Sequence, residues 1–121
     1  MGIDVSPLAL TRAGTARYVE ALLARLELEP LRFGGGGRHH TVARDLWWYL
    51  AGLPREARRR RLDVLHCPTF RAPVRSHVPF VVTVHDLAVL RRPETFNRWT
   101  RAYSRLLVPR VVRAARRVIA V

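Results

Sequence analysis

The chain has 121 residues, 49% of them hydrophobic, which bounds it to one globular domain with a modest core and argues against disorder. Its formal net charge is +13, with a pI near 11.8, and every one of its basic residues is arginine. No run approaches the roughly 18 unbroken apolar residues of a membrane span, the acidic Asp4 argues against a secretory leader, and the single cysteine, Cys67, excludes an internal disulfide. The basic charge raises a nucleic-acid reading. The arginines are spread along the chain, with no helix-turn-helix, zinc-finger or RNP pattern beside them. GC-rich coding that favours arginine at surface positions, or a mild preference for anionic surfaces, accounts for them better, and nucleic acid is not expected as a partner.

Ile3-Asp4-Val5 reads as a short strand stopped by Ser6-Pro7. "TRAGTARYVEALLARL" follows: Gly14 marks a turn, and Tyr18, Leu22, Leu23 and Leu26 then recur at helical spacing. Leu31-Arg32-Phe33 is a weak second strand. Gly34 to Gly37 reads as a linker, because no Gly-Lys-Ser/Thr follows to make a phosphate cradle. "TVARDLWWYLAGL", residues 41–53, predicts a helix with Thr41 as N-cap, Pro54 as its stop, and Leu46, Trp47, Tyr49, Leu50 and Leu53 on an apolar face. The "REARRRR" after it can extend that helix. Two readings stand for this aromatic and basic segment: a core-packing helix with a solvated tail, and a dock on an anionic membrane.

"LDVLHCP" and "FVVTVHD" predict buried strands ending at His66 and at His85-Asp86. Pro68, Pro73 and Pro79 lie between them, so the connection of about a dozen residues has no room for a regular helix but suffices for a parallel crossover. Antiparallel pairing remains open. Residues 94–117 predict one long helix or two, kinked or split at Pro109. Trp99, Tyr103, Leu106, Leu107 and Val111 fall on its apolar side; Arg98, Arg101, Arg105, Arg113 and Arg116 form a basic stripe. "RVIAV" reads as a final buried strand, and a chain ending inside a strand suggests truncation.

Alternating strands and helices predict an α/β fold: a Rossmann-like, open, mostly parallel sheet flanked by helices. Ligands of such sheets sit at the carboxyl ends of the strands. The Gly14 turn, His66 and His85-Asp86 would share that rim if the strands are parallel. His85 is the strongest candidate, a group titrating near neutrality and held rigidly at a sheet edge. His66 reads equally as a structural histidine with a backbone partner, and Asp86 as a turn cap. Cys67 reads as a small buried hydrophobe. No metal site is expected: His39-His40 are adjacent rather than one helical turn apart, and no Cys-x-x-Cys accompanies them. Gly-x-Gly-x-x-Gly and Gly-x-Ser-x-Gly are both absent from the sequence.

"GIDVSPLALTRAGTARYVEALLARL", "DVLHCPTFRAPVRSHVPFVVTVHDLAVLRRPETF" and "RAARRVIAV" cover most of the chain. In order and spacing they resemble the N-terminal domain of family 4-like glycosyltransferases of the GT-B fold, especially the bacterial mannosyltransferase-type group. The "VVTVHDL" segment followed by Pro-Glu is the most specific match. The resemblance implies that residues 1–121 form a single acceptor-side domain, incomplete at its C-terminus, of a retaining hexosyltransferase. Its partners would be a glycan or lipid-linked acceptor and, through a missing C-terminal domain, a sugar nucleotide. No other cofactor is implied.

The place implied is the cytoplasm, with peripheral contact at an anionic inner membrane face. His85 and Asp86 take the catalytic positions, His85 beside the transferred sugar and Asp86 shaping its loop. Gly14, Thr15, Arg17, Tyr18 and His66 are the implied substrate-binding set. Ala16 stands where the family usually has a second glycine, and its methyl hinders close backbone approach to a phosphate. Alone, such a domain is expected to be inactive. The competing readings are an arginine-rich module for nucleic acid or anionic membrane, and a non-functional gene fragment.

Overall fold

The computed structural model describes residues 1–9, 14–33, 41–85 and 91–120. Strand β1 (Gly2–Asp4) passes through a 3-10 turn (Ser6–Ala9) toward helix α1 (Gly14–Arg25). Strand β2 (Glu29–Leu31) follows. A short α2 (Thr41–Ala43) runs into a π-helix (Arg44–Gly52) and then α3 (Leu53–Arg59). Strands β3 (Leu65–Cys67) and β4 (Phe80–Val84), helix α4 (Arg98–Ala114) and strand β5 (Arg117–Ala120) complete the order. Every strand pairing is parallel, in the order β2-β1-β3-β4-β5. This is a Rossmann-like α/β sheet, as expected. The chain leaves β1 for β2 on one side and returns to β3 on the other, so the switch point lies between β1 and β3.

The pleat divides the core in two. Leu65, Cys67, Phe80 and Val82 pack on one face against Trp48, Tyr49, Leu53 and Ala57 of the π-α3 helix and Val111 of α4. Ile3 and Val5 pack on the other against Val19 of α1, with Leu22 and Leu23 beside it. Residues in register share a face, so Ile3, His66 and Val81 lie on the α1 side, and Thr83 with them. The crossover 68–79 holds no helix, and its Ala72 and Val78 are buried.

Several boundaries and faces differ from expectation. The second strand sits two residues early, at Glu29–Leu31, because β1 pairs Gly2 with Glu29; Pro30 is tolerated there because β2 is an edge. Leu26 lies past the end of α1 and is exposed. Pro54 does not stop the helix. The wider π turn carries the Leu53 amide to the Trp48 carbonyl, and Pro54 falls in the first turn of α3, the position at which proline is best tolerated. Arg44, Asp45, Trp48 and Tyr49 are buried, and Leu46 and Trp47 stand in solvent.

Helix α3 ends on a Schellman pair, Arg61 N–H to Arg58 O and Leu62 N–H to Ala57 O, with Arg61 at φ 54°. Pro109 stays inside a continuous α4, on its exposed side. Tyr103 and Val111 are buried, whereas Leu106 is exposed; the arginine stripe faces solvent. Strand β5 is a solvated edge rather than a buried strand, with Val118 and Ile119 exposed. Among the described residues, no helix is long and apolar enough to cross a membrane.

Candidate functional site

The carboxyl rim of β3 and β4 carries the site. Thr83, fully buried, offers its hydroxyl to two partners: His66 Nε2 at 2.8 Å and the Tyr18 hydroxyl at 3.1 Å. Tyr18 Oη also stands 3.5 Å from His66 Nε2, closing a triangle. Tyr18 comes from the second turn of α1, and a helical side chain leans toward its own N-terminus, here toward the rim. Its ring meets His85 edge-on, with centroids 4.9 Å apart at 83°, and His66 similarly at 5.9 Å. Burial, and secondarily the nearby His85, lowers the pKa of His66, which favours the neutral imidazole.

His85 follows β4 directly. Its Nε2 donates to the Pro68 carbonyl at 2.9 Å, because a carbonyl can only accept. In the neutral ring that assigns Nδ1 as the acceptor nitrogen. The crossover that supplies the Pro68 carbonyl is itself pinned. Arg71, three residues on, donates to buried Asp45 at 3.0 Å, with its guanidinium 5.0 Å from the Phe70 ring and 5.6 Å from that of Tyr103. Asp45 also receives Arg44 at 3.1 Å and Trp99 Nε1 at 2.7 Å. This one carboxylate ties the π-helix, the crossover and α4 together.

At the end of β1, on the opposite face, Asp4 is wholly buried. It accepts from Tyr49 Oη at 2.7 Å, the Ser6 amide at 3.1 Å and Trp48 Nε1 at 3.2 Å. Burial raises its pKa, and the bonds from Tyr49, Ser6 and Trp48 oppose the rise. Burial likewise pushes the Cys67 thiol well up, with Asp4 adding to the effect, so Cys67 is a packed thiol and no nucleophile.

The expected site residues divide accordingly. Tyr18, His66 and His85 come together. Gly14, the first residue of α1, is exposed, and a Cβ there would meet nothing within 4 Å. Thr15 is half-buried and Arg17 exposed on the same turn, with no hydrogen bond to the cluster among the described residues. Ala16 is buried. Asp86, His39 and His40 lie outside the described residues, and within those described no three His, Cys, Asp or Glu side chains group as a metal site. Thr83 and the Pro68 carbonyl were not anticipated. The one available signal for Thr83 was a hydroxyl inside an otherwise apolar run.

At this rim two imidazoles and two hydroxyls stand together at the carboxyl end of a parallel sheet. A family model described as Glycosyltransferase Family 4 matches residues 1–121. The chain belongs to glycosyltransferase family 4. No curated protein and no solved structure matches it significantly. Within the family, a glycan and a sugar donor are the general partners of such a fold.

Proposed function

We propose that residues 1–121 form the acceptor-side wall of a retaining hexosyltransferase of the mannosyltransferase type, acting on a glycan or lipid-linked acceptor. A donor-side α/β domain completes the cleft and brings the sugar nucleotide. The observation that carries this reading is the Tyr18-His66-Thr83-His85 cluster at the carboxyl rim of a chain matched to the family over its whole length.

In this reading His85 accepts a hydrogen bond from a hydroxyl of the transferred sugar at Nδ1, its ring fixed by Pro68 on one side and Tyr18 on the other. A pre-set ring loses little freedom when the sugar binds, so the bond contributes its full strength. Gly14, Thr15 and Arg17, at the start of α1, face the phosphates, where free helix amides favour negative charge. Asp86 shapes the loop beyond His85. No cofactor other than the sugar nucleotide enters.

The test joins the chain to the donor-side domain of a mannosyltransferase-type family member and follows nucleoside diphosphate release from GDP-mannose and UDP-glucose. The joined protein turns over and the 121-residue chain does not. His85→Ala lowers kcat/KM by about tenfold to a hundredfold, the worth of one or two hydrogen bonds in a desolvated cleft. An active fusion with an unchanged rate for His85→Ala removes His85 from the mechanism.

A further inference from the structure

A second concavity lies away from the histidine rim. Pro54, Arg55 and Arg58 of α3 form one wall, and Arg75, Ser76 and His77 of the crossover form the other. The pocket between them has a volume of about 380 Å³, which is the size of a small-molecule site. Both walls are anchored. Leu53 and Ala57, wholly buried, fix the part of α3 that carries Arg55 and Arg58; these two are three residues apart and share a side of the helix. Ala72 and Val78 are buried on either side of Arg75. The Ser76 hydroxyl closes on the backbone of Val78, donating to its carbonyl at 2.7 Å and accepting from its amide at 3.2 Å. What these walls present to a ligand is positive charge. Among the described residues no carboxylate lines the pocket. Glu56, the acid of α3, is already held by Arg59 and Arg60. Arg55, Arg58 and Arg75 are exposed and have no carboxylate in ion-pair range among the described residues.

We infer that this pocket binds a soluble diphosphate, as pyrophosphate or as the diphosphate of a nucleotide. Guanidinium forks match phosphate oxygens in shape and charge. One phosphate ester carries about −1.5 to −2 charge at pH 7, so two linked phosphates come closer than one to balancing three arginines. Like charges lining one concavity repel, and a polyanion between them relieves that repulsion. A free diphosphate enters the concavity and meets both walls at once. The inference does not rest on the transferase reading: Arg75, Ser76 and His77 stand ahead of β4, His85 follows its far end, and the readout is binding.

The full chain is titrated calorimetrically with pyrophosphate, UDP and inorganic phosphate at matched ionic strength. Pyrophosphate and UDP bind one to one and more tightly than inorganic phosphate, and all three weaken as salt rises. Arg75→Gln weakens pyrophosphate binding by about fivefold, and R55Q/R58Q, from the opposite wall, by roughly twentyfold. Either wall carries the test if the other variant fails to fold. R101Q/R105Q removes the same charge from the exposed side of α4 and leaves the binding unchanged. Equal weakening by that α4 pair overturns the inference, because net charge alone then explains the affinity. Several equivalent sites per chain overturn it too. So does binding that survives the pocket variants and is lost on Arg17→Gln, which places the anion at the start of α1. Phosphatidylglycerol vesicles that strip bound pyrophosphate from the chain assign the pocket to a lipid headgroup and likewise overturn it.

Discussion

Thr83→Val tests whether one hydroxyl organises the rim. The replacement keeps the shape of a fully buried side chain and removes the oxygen that serves His66 Nε2 at 2.8 Å and Tyr18 Oη at 3.1 Å. A buried neutral hydrogen bond contributes about 0.5–1.5 kcal/mol net, and leaving a buried partner unpaired costs about 1–3 kcal/mol. His66 pays that cost because it is buried; half-buried Tyr18 can turn to water. The sum is about 2 kcal/mol, or roughly 6–12 °C in Tm for a domain of this size. Urea unfolding followed by circular dichroism measures it, with an unchanged m value as evidence that both end states are comparable. Tyr18→Phe alone costs less than about 1 kcal/mol, and in the double variant the two losses do not add, since both remove the same bond. Full additivity, or a Thr83→Val midpoint equal to the parent's, refutes the shared-hydroxyl account.

Asp45→Ala strips the acceptor from Arg44, Arg71 and Trp99 and leaves the Arg44 guanidinium buried without its carboxylate. About 3–5 kcal/mol of stability is lost, read as a large drop in the urea midpoint. Stability also falls as pH drops below 6.5: burial lowers the His66 pKa from that value, so the unfolded chain takes up a proton that the folded one refuses, down to the folded pKa. His66→Gln, which keeps a polar atom near Nε2, reduces that slope when urea midpoints are compared on either side of pH 6.5; an unchanged slope assigns the effect to another group.

The elements most legible in the sequence were those where one face decides everything. "FVVTV" is dense in β-branched residues, and it forms β4 with Phe80 and Val82 inward on one side and Val81 and Thr83 on the other. The rim position of His85 followed from that strand's end. What was not legible depended on neighbours. Nothing in "VVTVH" says that Thr83 matters; only the pairing of His66 with Val81 brings the hydroxyl within reach of the imidazole. Arg44 and Asp45 are buried beside Trp48 and Tyr49, and their ion pair with each other, which sequence spacing does not announce, makes that burial possible. Leu46 and Trp47, placed with Tyr49 and Leu53 on one apolar face, stand in solvent instead. The exposure of β5 was hidden because an apolar strand at a sheet edge and one at its centre read alike in sequence.

The way the rim is held argues for a binding role rather than a covalent one. His85 has two partners: the Tyr18 ring reaches it from α1, and the Pro68 carbonyl from a crossover that Arg71 anchors to Asp45. Rings restrained from two directions are set for hydrogen bonding before a ligand arrives. The one thiol nearby, Cys67, points into the opposite core, with its ionised form disfavoured by burial and by Asp4. Burial, and secondarily the adjacent His85, lowers the pKa of His66 and so disfavours its charged form. On the transferase reading, the charge that develops on a departing diphosphate is met at the start of α1 and across the cleft on the donor side. The division of labour is physical: a rigid wall of hydrogen-bonding groups suits sugar hydroxyls, and a cationic wall suits phosphates.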